Sequence, residues 1–397
     1  MITLISIIFS YIYFKLDITQ NKIFAVPCSL FIIMYSLSFD CLGWEDLESV
    51  CFQYARPKFG FQAYLLLFIT IISFGIGISS LKFVKIKTTN LNTHYNTHKL
   101  SKIYYYFAFF SIAAFIINIT RVFLNGGLGL IFINPREYEA TFGANFLVNY
   151  FYFLNVPALC VYLYLRNQNI KLKYGIIINV ILLSISFFHG IKFTIFDTIL
   201  YPTIFYYLLR KNSSIKPIAI VFSILITIFI LFSVFVRGGT DKSPLLSVAS
   251  YIFPNYYNLA YNIEQSPVQF GQITSLFLPD KIPNPTNEIA IGEPVSGFAL
   301  NESYNMYTSL FTVYYAFNFF GPLFYLVIFI IQYYFYLKRN QSILSLFIST
   351  YLYFCLIFSF YFYAYTKFKN VYYVLIFILI HYICKHKLTT NINKINI

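Results

Sequence analysis

Along most of this chain the apolar residues come in solid blocks, not in alternation with polar ones. Eleven blocks with almost no charge read as spans, at roughly 1–14, 24–39, 59–81, 103–124, 146–165, 174–189, 193–209, 217–236, 317–337, 341–366 and 370–384. A hydrocarbon core about 30 Å thick takes about 20 apolar residues in a helix. Backbone groups in lipid must be paired within their own segment, which makes such blocks helical. A membrane β-barrel would alternate apolar and polar positions instead. The pattern therefore predicts an all-α, polytopic integral membrane bundle, a single membrane domain over 1–397. A composition that is 59% hydrophobic and 11% charged leaves no stretch for a separate soluble domain. Met1–Phe14 has no basic lead-in and no small-residue cleavage site, so it reads as a retained first helix.

Two stretches depart from this rhythm. The first is Arg237–Ser303, a large polar loop that opens Arg237-Gly238-Gly239-Thr240-Asp241 directly after an uncharged run. The second, Tyr304–Leu337, lacks any charge over thirty-four residues. As one helix it would be about 51 Å long, too long for a core of about 30 Å. Gly321-Pro322 in its middle is expected to break or kink it. The expectation is a short helix or re-entrant element at 304–316, followed by a spanning helix. Irregular backbone at that depth needs protein or a water-filled cavity around it.

Charge fixes an orientation. One set of connectors holds Lys15, Lys22, Lys82, Lys85, Lys87, Lys99, Lys102, Arg166, Lys171, Lys173, Arg210, Lys211, Lys216, Lys338, Arg339, Lys385, Lys387 and Lys394, with Asp17 as its one acid. The opposite set carries the remaining ten basic residues and twelve of the fourteen acids; Asp197 lies within a span. By the positive-inside rule the first set is cytoplasmic and the 237–303 loop faces out. The net charge of +14 is thus a topology signal, and it argues against a nucleic-acid partner. Cys28, Cys160, Cys355 and Cys384 fall in or beside spans as packing residues, whereas Cys41 and Cys51 share one outer loop, where an oxidising exterior would allow them to pair. The Cys and His residues show no metal-type spacing.

Cations on the outer side run against this bias and call for a reason. Arg121, Arg136, Lys192 and Arg237 each sit at or just past the outer end of a span. One reason is snorkelling to lipid phosphates. The sharper one is a bound diphosphate, since guanidinium forks match phosphate oxygens. Arg136 and Arg237 suit it best, and Gly238 and Gly239 would let backbone amides approach an anion. Asp197, inside a span, is a functional candidate by position, the plainer reading being a helix-internal pair with Lys192. His189 lies three residues before Lys192 and is either a structural donor or a proton acceptor. Of the outer carboxylates Glu137, Glu139, Asp241 and Glu302, Glu139 and Asp241 lie nearest the anion site.

These residues resemble a family. Pro135-Arg136-Glu137-Tyr138 followed by Gly143, the turn His189-Gly190-Ile191-Lys192, and Val236-Arg237-Gly238 are three echoes of the bacterial oligosaccharide repeat-unit polymerases, the O-antigen polymerase or Wzy type. The most specific is Tyr304-Asn305-Met306-Tyr307-Thr308 followed by Phe317-Asn318-Phe319-Phe320-Gly321, which resembles the family's Asn-x-Tyr-Thr and Asp-Phe-Gly pair. Lys192 stands where the family has arginine, and Asn318 where it has aspartate.

The resemblance implies a GT-C-like glycosyltransferase of the bacterial inner membrane, with its active site facing the periplasm. It would join undecaprenyl-diphosphate-linked repeat units, with both donor and acceptor on the lipid carrier. It implies no cofactor, metal or nucleotide, and a chain-length regulator and a flippase as working partners. Arg136 and Arg237 would neutralise the leaving diphosphate. Asp241, Glu139 or His189 would take the acceptor proton. Lys192, Arg121, Asn305, Tyr307 and Thr308 would bind substrate. An O-antigen ligase shares the arginine-bearing loop and differs in its acceptor. A flippase would show paired repeats and ionisable groups spread through the spans, and neither pattern is visible.

Overall fold

The computed structural model describes residues 2–42, 60–86, 93–189, 192–210, 244–265, 308–361 and 367–385, with a few single positions between these segments. Every regular element among them is helical; one isolated antiparallel bridge joins Tyr95 and Lys385. The helices are α1 (Ile2–Leu16), α2 (Ala25–Asp40), α3 (Phe61–Ser80), α4 (Thr97–Leu124), α5 (Pro135–Phe142), α6 (Phe146–Tyr152), α7 (Asn155–Asn167), α8 (Gly175–Phe187), α9 (Lys192–Leu209), α10 (Pro244–Gln265), α11 (Ser309–Phe317), α12 (Phe324–Lys338), α13 (Ile343–Phe358) and α14 (Phe368–Cys384).

Four stretches are long and apolar enough to cross a membrane: Phe61–Phe83, Thr97–Leu124, Phe146–Asn167 and Asn318–Lys338. Shorter apolar helices occupy Ile2–Leu16, Ala25–Asp40, Gly175–Phe187, Thr194–Leu209, Ile343–Phe358 and Phe368–Cys384. Each falls on one of the spans read from hydropathy. The span expected at 217–236 lies almost wholly outside the described residues.

The burial pattern suits lipid. On α4 the buried positions are Leu100, Tyr104, Ala108, Ser111, Ala114, Asn118 and Val122, a stripe at helical spacing built mostly of small or polar side chains. Phe109, Phe110, Ile116 and Ile117 point outward and are exposed. Small and polar residues inside with large apolar ones outside is the packing of helices in lipid, where burial of apolar groups brings no gain and close backbone approach does. The Ser6 and Ser36 hydroxyls bond at 2.5 Å between α1 and α2 for the same reason.

Helix ends gather into two sets. At one end, Thr3 N donates to Asp40, Tyr138 Oη to the Phe188 carbonyl, and Tyr372 Oη to the Tyr150 carbonyl. At the other, Tyr207 Oη and Tyr336 Oη both bond Asn21, and Asn96 N donates to the Cys384 carbonyl.

The long uncharged run is broken, as its length required, but earlier than Gly321-Pro322. Asn318 has φ +57° and opens a 3-10 segment, Asn318–Leu323, between α11 and α12. Asn tolerates positive φ better than most residues. The chain folds back so tightly that a Cβ on Gly321 would lie 2.6 Å from the Val313 carbonyl oxygen. Residues 304–307 lie outside the described part.

The polar stretch 237–303 holds a 22-residue helix, α10, that packs on α2 and α3. Tyr256 stacks on Tyr35 with ring centroids 4.8 Å apart, and Tyr257 Oη donates to the Ser38 carbonyl at 2.7 Å. Buried Asn255, Asn258 and Asn262 interrupt its apolar residues, which hid it from a search for apolar blocks. Cys41 carries a free thiol, and Cys51 lies outside the described residues.

Candidate functional site

The site is built where α4 ends. Helix α5 starts under firm local control: Asn134 Oδ1 accepts from Glu137 N at 3.3 Å, its Nδ2 donates to Glu137 Oε2 at 3.0 Å, and Pro135 fills the first helical position. The buried face of α5 is Tyr138 and Phe142, one turn apart. The Phe142 ring lies 6.3 Å from Phe115 of α4, 5.8 Å from Tyr152 of α6 and 4.9 Å from His189. One aromatic anchor thus joins α4, α5, α6 and the turn between α8 and α9.

His189 is fully buried in that turn, ringed by Phe142, Tyr152 and Phe153. Its Nε2 lies 3.4 Å from Asn149 Oδ1, and its Nδ1 has no hydrogen-bond partner. The aromatic cage and the Asn149 contact hold the ring in one place, which suits a fixed hydrogen-bonding group. The helix does not continue from His189 to Lys192: α8 ends at Phe187 and α9 begins at Lys192.

For Asp197, the expected partner Lys192 has its side chain outside the described residues. The Asp197 carboxylate forms an ion pair with Lys369 of α14. The Lys369 ammonium also lies over the Phe153 ring, 4.7 Å from its centroid. Next to Asp197, Thr198 Oγ1 accepts from Asn155 Nδ2 at 3.1 Å, tying α9 to α7. A charge pair sunk between apolar helices holds only while both partners are present.

Arg121 stands in the last turn of α4, half-buried, and its Nη1 is buried without a partner. One turn earlier Asn118 is 0% exposed, and neither its Nδ2 nor its Oδ1 is bonded. The other polar groups on the same stripe are satisfied: Ser111 Oγ donates to the Tyr152 carbonyl at 2.8 Å, and Tyr104 Oη bonds the Gly175 carbonyl and Asn179 Oδ1, both at 3.1 Å. A buried amide left unbonded costs about 1–3 kcal/mol.

Arg136 occupies the first turn of α5 and Lys192 the first position of α9; their side chains lie outside the described part. Glu139 is half-buried on α5 and engaged in a contact of its own. The elements carrying Arg121, Arg136, Glu139, His189 and Lys192 therefore meet at one end of the bundle. Thr308 stands at the start of α11, where Ser309 N donates to the Ser359 carbonyl at 3.0 Å beyond the end of α13. It is fully buried and its Oγ1 has no partner. Arg237, Asp241, Asn305 and Tyr307 lie outside the described residues.

Three residues of this end escape a reading of the chain: Asn118, Asn149 and Lys369. Lys369 was visible as one more cation against the charge bias, and Asn118 by its spacing of three from Arg121; Asn149 had no signal. Arg121 Nη1 and Asn118 Nδ2 are unused donors and Asn118 Oδ1 an unused acceptor, a set fit for an oxygen-rich solute. No family model, curated protein or solved structure matches the chain.

Proposed function

We propose that the protein is a repeat-unit polymerase: a multi-pass enzyme of the bacterial inner membrane that joins undecaprenyl-diphosphate-linked oligosaccharides on the periplasmic side. The observation that carries the reading is Arg121, a guanidinium held half-buried with an unpartnered Nη1, at the bundle end where α5 brings Arg136 and Glu139 and the α8–α9 turn brings His189. The motif resemblance supplies the reaction class.

In the reaction an acceptor hydroxyl attacks the anomeric carbon of the donor sugar. The bond from that carbon to the diphosphate oxygen breaks, and the charge that develops on the diphosphate falls to Arg121, Arg136 and Arg237. The hydroxyl proton passes to a carboxylate, Glu139 or Asp241. His189, held in its aromatic cage, orients the turn between α8 and α9. On this reading the Arg121 end of the bundle is periplasmic and the Asn21 end cytoplasmic.

The test is the surface glycan of a strain lacking the protein. A polymerase defect leaves core capped by a single repeat unit. Bare core with long chains retained on the lipid carrier would instead indicate a ligase. Reporter fusions should place residue 270 outside and residue 92 inside, and the reverse result would overturn the orientation.

A further inference from the structure

We infer that Asn118 and Arg121 form a binding site for a phosphorylated sugar, with the phosphate on Arg121 and a sugar hydroxyl on Asn118. The assignment deepens the polymerase reading and rests on it for the identity of the natural ligand. Its physical basis is the contrast along one helix face. Asn118 lies in the buried stripe of α4, where Tyr104 and Ser111 each find a partner on a neighbouring helix. Asn118 finds none for either amide atom, although it is 0% exposed. Had this amide served only to join helices, leucine would do better, because a buried polar group without a bond destabilises.

Two further features give the site its chemistry. Arg121, one turn along, leaves a buried guanidinium nitrogen unbonded. A guanidinium donates only and stays charged, which matches a phosphate oxygen. A carboxamide both donates and accepts, which matches a hydroxyl. A ligand carrying both groups a few ångströms apart is a sugar phosphate or glycosyl diphosphate. The walls are also in place: α5 packs on α4, and Phe115, one turn before Asn118, lies against Phe142 and Phe188, next to buried His189.

The decisive variant is Asn118→Leu, with Arg121→Lys beside it. Each full-length chain is expressed in the deletion strain for glycan banding. It is also purified in detergent for thermal unfolding with and without three probes: an undecaprenyl-diphosphate-linked oligosaccharide, inorganic pyrophosphate, and phosphatidylglycerol. Asn118→Leu should accumulate in the membrane at the normal level, with an unfolding midpoint equal to or above that of the unaltered protein. Its polymer should fall by about tenfold or more, the loss of one well-made hydrogen bond to the reacting complex. The stabilisation given by the oligosaccharide probe should disappear. Arg121→Lys should keep its level and midpoint but lose that stabilisation, since an ammonium lacks the fork.

Pyrophosphate stabilising the unaltered chain as well as the oligosaccharide would move the ligand to phosphate alone and overturn the sugar contact at Asn118. Phosphatidylglycerol doing so would make Arg121 a lipid anchor and overturn the site. Asn118→Leu with full ladders and full probe stabilisation, or lost from the membrane, would make the amide idle or structural and overturn it too. If the deletion strain shows no single-repeat phenotype while Asn118→Leu still abolishes probe stabilisation, the polymerase reading fails and the binding site stands.

Discussion

The two ends of the bundle use buried polar groups differently. At the Asn21 end they are joined to one another. The Asp17 carboxylate accepts from Thr19 N and from Phe24 N and Ala25 N at the start of α2, each at 2.9 Å, and from Thr19 Oγ1 at 2.6 Å. Asn21 takes the Tyr336 hydroxyl on Oδ1 and the Tyr207 hydroxyl on its carbonyl, both at 2.7 Å. Arg339 donates to the Leu208 carbonyl at 3.1 Å and to the Tyr336 carbonyl at 2.7 Å, closing the ends of α9 and α12. On α12 and α13 beside these groups, Gln332 Oε1, Ser349 Oγ and the Tyr353 hydroxyl are left without a bond. At the Arg121 end, apart from the closed Asp197–Lys369 pair, an amide, a guanidinium nitrogen and an imidazole nitrogen have unused capacity. Helices end and bend at both places, so both need polar residues. What separates them is which groups are left over: neutral single atoms beside the Asn21 network, and a guanidinium nitrogen with both atoms of one carboxamide at the Arg121 end, the set a binding site would use.

The largest test of that contrast is Lys369→Met. It leaves the Asp197 carboxylate buried and unpaired, and should cost about 3–5 kcal/mol. Thermal unfolding in detergent checks it, and pairing the change with Asp197→Leu should recover most of the loss. If the double variant is as unstable as the single one, the pair is not closed on itself. Next is Asp17→Ala, which strips the start of α2 of its acceptor and should cost about 2–3 kcal/mol by the same measurement. Tyr336→Phe removes a single bond to Asn21 and should cost about 1 kcal/mol. Asn118→Leu, at the opposite end, should cost nothing. A loss there as large as that of Asp17→Ala would erase the difference between the two ends.

Much of this architecture could be read from the chain. The apolar blocks announced eleven of the described helices, α6 and α7 sharing one block, and the break in the thirty-four-residue run followed from its length alone. Its location did not: the turn begins at Asn318 because the returning backbone must pass Val313 at Gly321, a contact between segments. Helix α10 was hidden because its buried face carries Asn255, Asn258 and Asn262, and apolar content fails as a guide where buried positions are polar. Of the candidate residues, Arg121, Arg136, Glu139, His189 and Lys192 were legible as polar or charged groups at span ends. The Lys369 partner of Asp197 was not, because it is distant in sequence and near only in space.

Composition and periodicity alone determined that the chain is helical, with stretches long and apolar enough to cross a membrane, because transfer of a whole helix into lipid sums over many residues and tolerates errors in each. Only the tertiary structure decided which polar groups are spent on the fold and which are left over, because a hydrogen bond depends on a few tenths of an ångström between helices distant in the chain. That is why Ser111 and Asn118, two polar residues on one stripe of α4, could not be told apart until their neighbours were in place.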